Sequence, residues 1–123
     1  MATRSFICKL LPDHSVIGIY CHFDGYPEGV GERLNEYYKN PLIVDQLLEL
    51  GDISDLHENV TLTVAYHRDR GEDLQPNRVY PSIIDAVCDA HNDLGAEYMY
   101  VYSRERGWAA FETKKVNLVQ SQG

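Results

Sequence analysis

The sequence predicts an α+β fold: an antiparallel sheet of about five strands with three helices mainly on one face, in the order β-β-α-α-β-α-β-β. Three observations predict it. Apolar residues alternate with period two over 4–11, 17–23, 60–67 and 97–103. Apolar stripes at spacings of three and four run through 28–39, 41–50 and 82–93. Glycine, proline and asparagine separate these segments. A length of 123 residues fits a single domain spanning 1–123.

Residues 4–11 read as the first strand, with Phe6 and Cys8 on one face and Ile7 and Lys9 on the other. Residues 11–15 form a turn by composition, and a second strand follows to Phe23, making a hairpin. Ile17, Ile19, Cys21 and Phe23 share one face, while Gly18, Tyr20, His22 and Asp24 share the other. Gly25-Tyr-Pro27 breaks this strand. The first helix follows over 28–39, its inward stripe Val30, Leu34, Tyr37 and Tyr38. Asn40-Pro41 is an N-cap followed by a first-turn proline, which opens a second helix ended by a left-handed Gly51.

Residues 52–59 read as a polar connection with Ile53 and Leu56 as plugs, 60–67 as the third strand, and 68–76 as a charged, mobile loop. The third helix carries an inner stripe of Ile83, Ile84, Val87, Cys88 and His91 and ends at Gly95. A fourth strand sets Tyr98, Tyr100 and Tyr102 against Met99 and Val101, and a turn over 104–107 leads to a fifth strand from Trp108. The tail 115–123 is weakly patterned.

The net charge of −8 and pI near 4.9 argue against direct binding of a phosphate backbone, which needs clustered lysine and arginine. Three cysteines without close spacing are neither a disulfide framework nor a zinc knuckle; they read as reduced, buried thiols of a cytosolic protein. The opening Met-Ala-Thr-Arg-Ser-Phe lacks a signal-peptide core, and no apolar run approaches the roughly 20 residues of a membrane span. No membrane association, cofactor or resident metal is expected.

Four constellations carry chemical content. His22 and Asp24 share a strand face, where they can orient an imidazole or offer two ligands; further ligands would come from His14, His57, His67 or His91, none diagnostically spaced. The glycines of 25–31 open a helix, as phosphate cradles do, yet Glu28 stands where the anion would sit and no P-loop lysine follows. Tyr98, Tyr100 and Tyr102, near Trp108, make an aromatic row suited to an interface or to a half-exposed sheet face.

The fourth constellation is the charge layout. Glu28, Glu32 and Glu36 are spaced by four, as are Asp45 and Glu49, and Asp85, Asp89 and Asp93. Each set is a ridge with one carboxylate per helical turn, roughly 6 Å apart. Such like-charge spacing costs a few tenths of a kcal/mol per pair. From 28 to 58 there are eight acids against two bases, Arg33 and Lys39. The ridges can present a polyanion-like surface to a basic protein, or simply solvate the helices.

Thr3-Arg4-Ser5, Tyr20-Cys-His-Phe-Asp-Gly-Tyr-Pro-Glu-Gly-Val-Gly31 and Leu50-Gly-Asp-Ile-Ser54 together resemble a family of small, largely uncharacterised bacteriophage and prophage proteins. The likeness is close over the first half and looser beyond, through Ala96-Glu-Tyr-Met-Tyr100 and Trp108; residues 68–78 have no counterpart. It implies a viral setting and a host-cytoplasmic location, and it supplies no catalytic residue.

The combined expectation is a non-enzymatic accessory protein that binds a basic, nucleic-acid-handling host protein, in the manner of an inhibitor of a CRISPR-type defence. Its surface would be the acidic ridges, or the motif and aromatic residues Tyr20, His22, Asp24, Tyr26, Tyr98, Tyr100 and Tyr102. The rivals are a nucleotide-signal binder at the Gly29/Gly31 helix entry and an enzyme using His22 and Asp24. Self-association stays open.

Overall fold

In β1 (Ser5–Leu10), residues Ser5 to Cys8 are buried on both faces, so this strand needs cover on both sides of its sheet. The computed structural model describes residues 2–75 and 77–114 and supplies that cover; the weakly patterned tail 115–123 lies outside the described residues, as does Pro76 of the charged stretch. β1 pairs antiparallel with β2 (Val16–Cys21) as a hairpin. On its other side it pairs in parallel with β6 (Tyr98–Ser103), Ile7 opposite Tyr100. β6 turns back antiparallel into β7 (Gly107–Glu112). Gly18 faces Cys8 across the hairpin, and a Cβ there would lie 2.5 Å from the Cys8 Cβ and 2.7 Å from the Phe6 ring.

The fold is α+β, with a seven-stranded mixed sheet in place of the antiparallel one expected. A π-helical turn (Pro27–Gly31) runs into α1 (Glu32–Tyr37), and α2 (Pro41–Glu49) follows after Asn40, whose side chain accepts the Leu42 N–H at 2.9 Å. These helices bury Val30, Leu34, Tyr38, Val44, Leu47 and Leu48 against Ile7, Ile19, Tyr100 and Tyr102. Tyr37, expected inside, is 43% exposed.

The opposite face is covered by α4 (Ile83–Asn92), so helices flank both sides. Ser82 caps it, accepting the Asp85 N–H at 3.2 Å. Its buried stripe is Ala86, Val87 and Ala90, packed with Phe6, Cys8, Val16, Met99 and Val101. Ile84 is 46% exposed, and Cys88 and His91 are only half-buried. The stripe is rotated from the expected one because the two alanines let the helix approach the sheet closely.

The middle of the chain departs most from expectation. Ile53–Asp55, read as connection, is β3, though Ile53 and Leu56 are buried as expected. Of 60–67 only Val64–Ala65 pairs, as β4, and Tyr66–Arg70 is the short helix α3. The Asn59 side chain accepts the Leu62 N–H at 2.8 Å and its carbonyl takes the Thr63 N–H at 3.1 Å. Those local bonds capture the amides a longer strand would need. Arg68 then gathers the carbonyls of Val60, Thr61 and Thr63, and the Asp69 carboxylate accepts the Ala65 N–H at 2.8 Å.

Beyond β2 the sheet edge is divided. Arg78–Tyr80 forms β5 and pairs with Val16, Ile17 and Gly18; β3 meets the other end at Cys21. Between them Asp52 fills the gap. Its carboxylate accepts the Tyr20 N–H at 3.0 Å and two Arg78 guanidinium N–H groups at 2.7 and 3.0 Å. Asp52→Ala leaves the Tyr20 amide and Arg78 without their acceptor, and is expected to cost about 2–3 kcal/mol in urea unfolding. Arg78→Ala should cost less, and the double variant should fall short of the sum by at least about 1 kcal/mol. Additive losses would show the three groups do not act as one clamp.

Candidate functional site

Acidic side chains read as a free surface in the sequence; folding gives several of them partners within the chain. Asp45 pairs with Lys9 of β1 at 2.7 Å. Asp52 is 8% exposed and held by Arg78. Asp89 accepts the Tyr80 hydroxyl. Asp89 on α4 and Asp93 just past its end also share a hydrogen bond, which lowers the Asp89 carboxyl and raises that of Asp93. Asp85 accepts the Ser82 hydroxyl at 2.8 Å in the cap of the same helix. The third ridge is thus in large part tied to its own helix and to Tyr80.

The first ridge is different. Glu28, Glu32 and Glu36 are all exposed, and among the described residues none of them forms an ion pair. Glu28 lies in the π-helical turn, Glu32 and Glu36 in α1, so one exposed row runs across both. Glu49 is also exposed, near the end of α2. Glu32 and Glu36 edge an open groove between α1 and β7 whose floor includes Tyr100 and Ala110.

The motif segment after β2 is occupied with its own geometry. His22 and Asp24 do not meet: the Tyr20 hydroxyl lies 2.7 Å from His22 Nδ1, and the His22 ring meets Phe23 edge-on at 4.5 Å. Asp24 sits at φ +58°, a left-handed conformation that asparagine and aspartate tolerate better than most residues, and its carboxylate accepts the Tyr26 hydroxyl at 3.3 Å. Among the described residues no group of three or more His, Cys, Asp or Glu side chains gathers as metal ligands.

The glycine N–H groups that would cradle a phosphate are used inside the chain. Gly25 donates to Thr3, Gly29 to Tyr26 and Val30 to the Asp24 carbonyl, at 2.8, 3.0 and 2.8 Å. The glycines are there for contact: a Cβ on Gly29 would lie 2.4 Å from the Asp24 carbonyl oxygen. The motif therefore reads as a tightly wound corner, in which the π-helical turn swings the chain from β2 into α1.

The tyrosine row is on one face, as expected, but that face is the core beneath α1 and α2. Tyr100 is 1% and Tyr102 4% exposed, and Tyr98 is half-buried. Each buried hydroxyl has a backbone acceptor: Tyr100 donates to Gly25 at 2.6 Å and Tyr102 to Lys39 at 3.2 Å. Trp108 donates to the Tyr38 carbonyl at 2.9 Å. The row anchors the helices and the glycine corner to the sheet, so Tyr100 and Tyr102 are not an exposed aromatic surface. The aromatic rings that do reach solvent include Phe23 and Tyr26 of the corner, at 40% and 38%.

Asp52 and Tyr66 also line a shallow depression with Gly71, Glu72, Asp73 and Gln75, and Arg70 stacks over the Tyr66 ring at 5.3 Å. Sequence reasoning passed over this region, because its charges read as loop. No protein-family model matches the chain, and neither the curated proteins nor the solved structures include a significant match to it.

Gly29→Ala should destabilise by about 1–3 kcal/mol, because its Cβ has no room, whereas Asp24→Gly should keep or raise the melting temperature by relieving the left-handed strain. Circular dichroism melts check both. Burial pushes the Cys21 thiol up to about 12 and the Cys8 thiol higher still. A chromogenic disulfide reagent at pH 8 should therefore label Cys88 in the native protein and all three thiols only in urea.

Proposed function

We propose that this chain is a non-catalytic accessory protein of the phage type that binds a basic, nucleic-acid-handling host protein through the glutamate row of the π-helical turn and α1. The observation that carries the reading is the contrast among its acids. Asp45, Asp52 and Asp89 are engaged by Lys9, Arg78 and Tyr80, while Glu28, Glu32 and Glu36 form an exposed row with no ion pair among the described residues. Spacing like charges one per turn works against helix stability. A basic partner surface would remove that cost on contact and be drawn to the row over long range. Carboxylates at this spacing also approximate the phosphates along a nucleic-acid strand, which favours a partner that normally holds nucleic acid. The viral setting rests on the motif resemblance, and inhibition of a nucleic-acid-targeting defence is the role it suggests.

The competing nucleotide reading needs free glycine N–H groups at the helix entry, and those of Gly25 and Gly29 already have backbone acceptors. The enzymatic reading needs His22 and Asp24 to act together, and each serves a different tyrosine.

The test is capture from a bacterial host lysate on the tagged protein. A basic nucleic-acid-handling protein should be retained at low salt and lost at high salt. Reversing Glu28, Glu32 and Glu36 to lysine should weaken capture about tenfold with the melting temperature little changed. Glu105→Lys, in the β6–β7 turn, should leave capture intact. Equal capture by the triple variant would overturn the reading.

A further inference from the structure

Among the described residues the sheet ends in β4 and the three-residue β5 on its divided side and in β7 on the other, and the two sides are treated differently. At one end stands β4, two residues long and followed at once by α3. That shortness protects it. At the other end stands β7, six residues in unbroken register with β6, with no bulge, no proline and no lysine. Its sequence is Gly-Trp-Ala-Ala-Phe-Glu, and Ala109 and Ala110 are exposed. Among the described residues no strand pairs with its outer edge. Alternate residues of such a strand point N–H and C=O groups outward, ready to pair with another chain. Natural sheets commonly blunt such edges; among the described residues no strand covers this one from Gly107 to Phe111, while Glu112 at its end has a partner of its own.

The groove noted above runs beside this edge. It has a volume of about 570 Å³, with Tyr100 and Ala110 as part of its floor and Gly31, Glu32, Asn35 and Glu36 along its helical wall. Tyr100 and Ala110 are direct cross-strand partners and so lie on the same face. A strand added outside β7 would send every second side chain into this groove, toward Glu32 and Glu36. Lys39, just past the end of α1, also lines it.

We propose that β7 is a strand-addition site, whose occupant is an extended segment of a partner protein carrying lysine or arginine at alternate positions. The main chain would pair with β7, and the alternate basic side chains would meet Glu32 and Glu36. Charge decides between occupants. A second copy pairing β7 with β7 about a two-fold axis would bring two α1 glutamate rows toward one seam, with repulsion in place of attraction. This inference rests on the acidic-face reading and adds to it the binding mode.

The probe is a short acetylated peptide alternating threonine and lysine, titrated into the full-length ¹⁵N-labelled protein. Chemical-shift changes and slowed amide exchange should appear along β7 and at Glu32 and Glu36. Backbone N-methylation of alternate peptide residues should weaken binding about tenfold, and so should glutamate in place of the peptide lysines or the Glu32→Lys/Glu36→Lys variant. The proposal is overturned if the lysine peptide leaves the β7 amides unchanged, or if N-methylation has no effect. It is also overturned if the β7 amides of the free protein are already protected, whether in a dimer by sedimentation or in a monomer that loses the protection on truncation after Lys114. If charge reversal abolishes lysate capture while the peptide leaves β7 untouched, the acidic-face reading survives and strand addition does not.

Discussion

The N–H of Tyr20 points from β2 toward an edge where, at that residue, neither β3 nor β5 reaches, and the Asp52 carboxylate takes it. The same carboxylate grips Arg78 of β5 with both oxygens. Its backbone carbonyl accepts the Tyr66 N–H at the start of α3. One residue thus joins β2, β5 and α3, and leads directly into β3. The interaction is strong because it is charge-assisted and because Asp52 is largely shielded from water. Without it, β5 and the segment around β3 would each hang on a few ladder bonds, and three-residue strands are marginal alone.

How much of this was legible in the sequence depends on where the determining contacts lie. The hairpin β1–β2, the Asn40-Pro41 corner, the helix over 82–93 and the final hairpin all follow from local periodicity and turn or capping chemistry, and all are present. The parallel partnership of β1 with β6 was not visible, since it joins residues more than ninety positions apart, as in the Cys8 thiol on the Tyr100 carbonyl. One signal for a double-sided sheet was present: Phe6, Ile7 and Cys8 are apolar in succession, and so are Met99 and Val101 among the tyrosines. The helix on the far face was misaligned because Ala86 and Ala90 carry little hydrophobic weight yet set the approach distance. The alternation of Val60, Leu62, Val64 and Tyr66 was real, but Asn59 and Arg68 captured the backbone groups a strand would have used.

The candidate site was legible in its charges and obscured in their pairing. A count of carboxylates cannot say that Lys9 reaches Asp45 across thirty-six residues or that Tyr80 reaches Asp89. The row in the π-helical turn and α1 stands out only after such partners are assigned. The aromatic row shows the reverse case. Its spacing correctly put three tyrosines on one face, while the lid over that face came from α1 and α2. Tyrosine suits these positions because its hydroxyl holds the buried Gly25 carbonyl and the part-buried Lys39 carbonyl, which phenylalanine would leave without that donor.

The parallel pairing of β1 with β6 also governs how the molecule is made. During synthesis the β1–β2 hairpin emerges early, with one edge of β1 facing nothing until β6 leaves the ribosome. Phe6 and Ile7, both fully buried at the end, have only part of their cover until then. The central contact must close a loop spanning most of the chain, a topology that slows folding. The nascent hairpin is consequently the stage at which a chaperone would be most useful, and a chain stopped short of β6 would hold almost none of the finished molecule's stability.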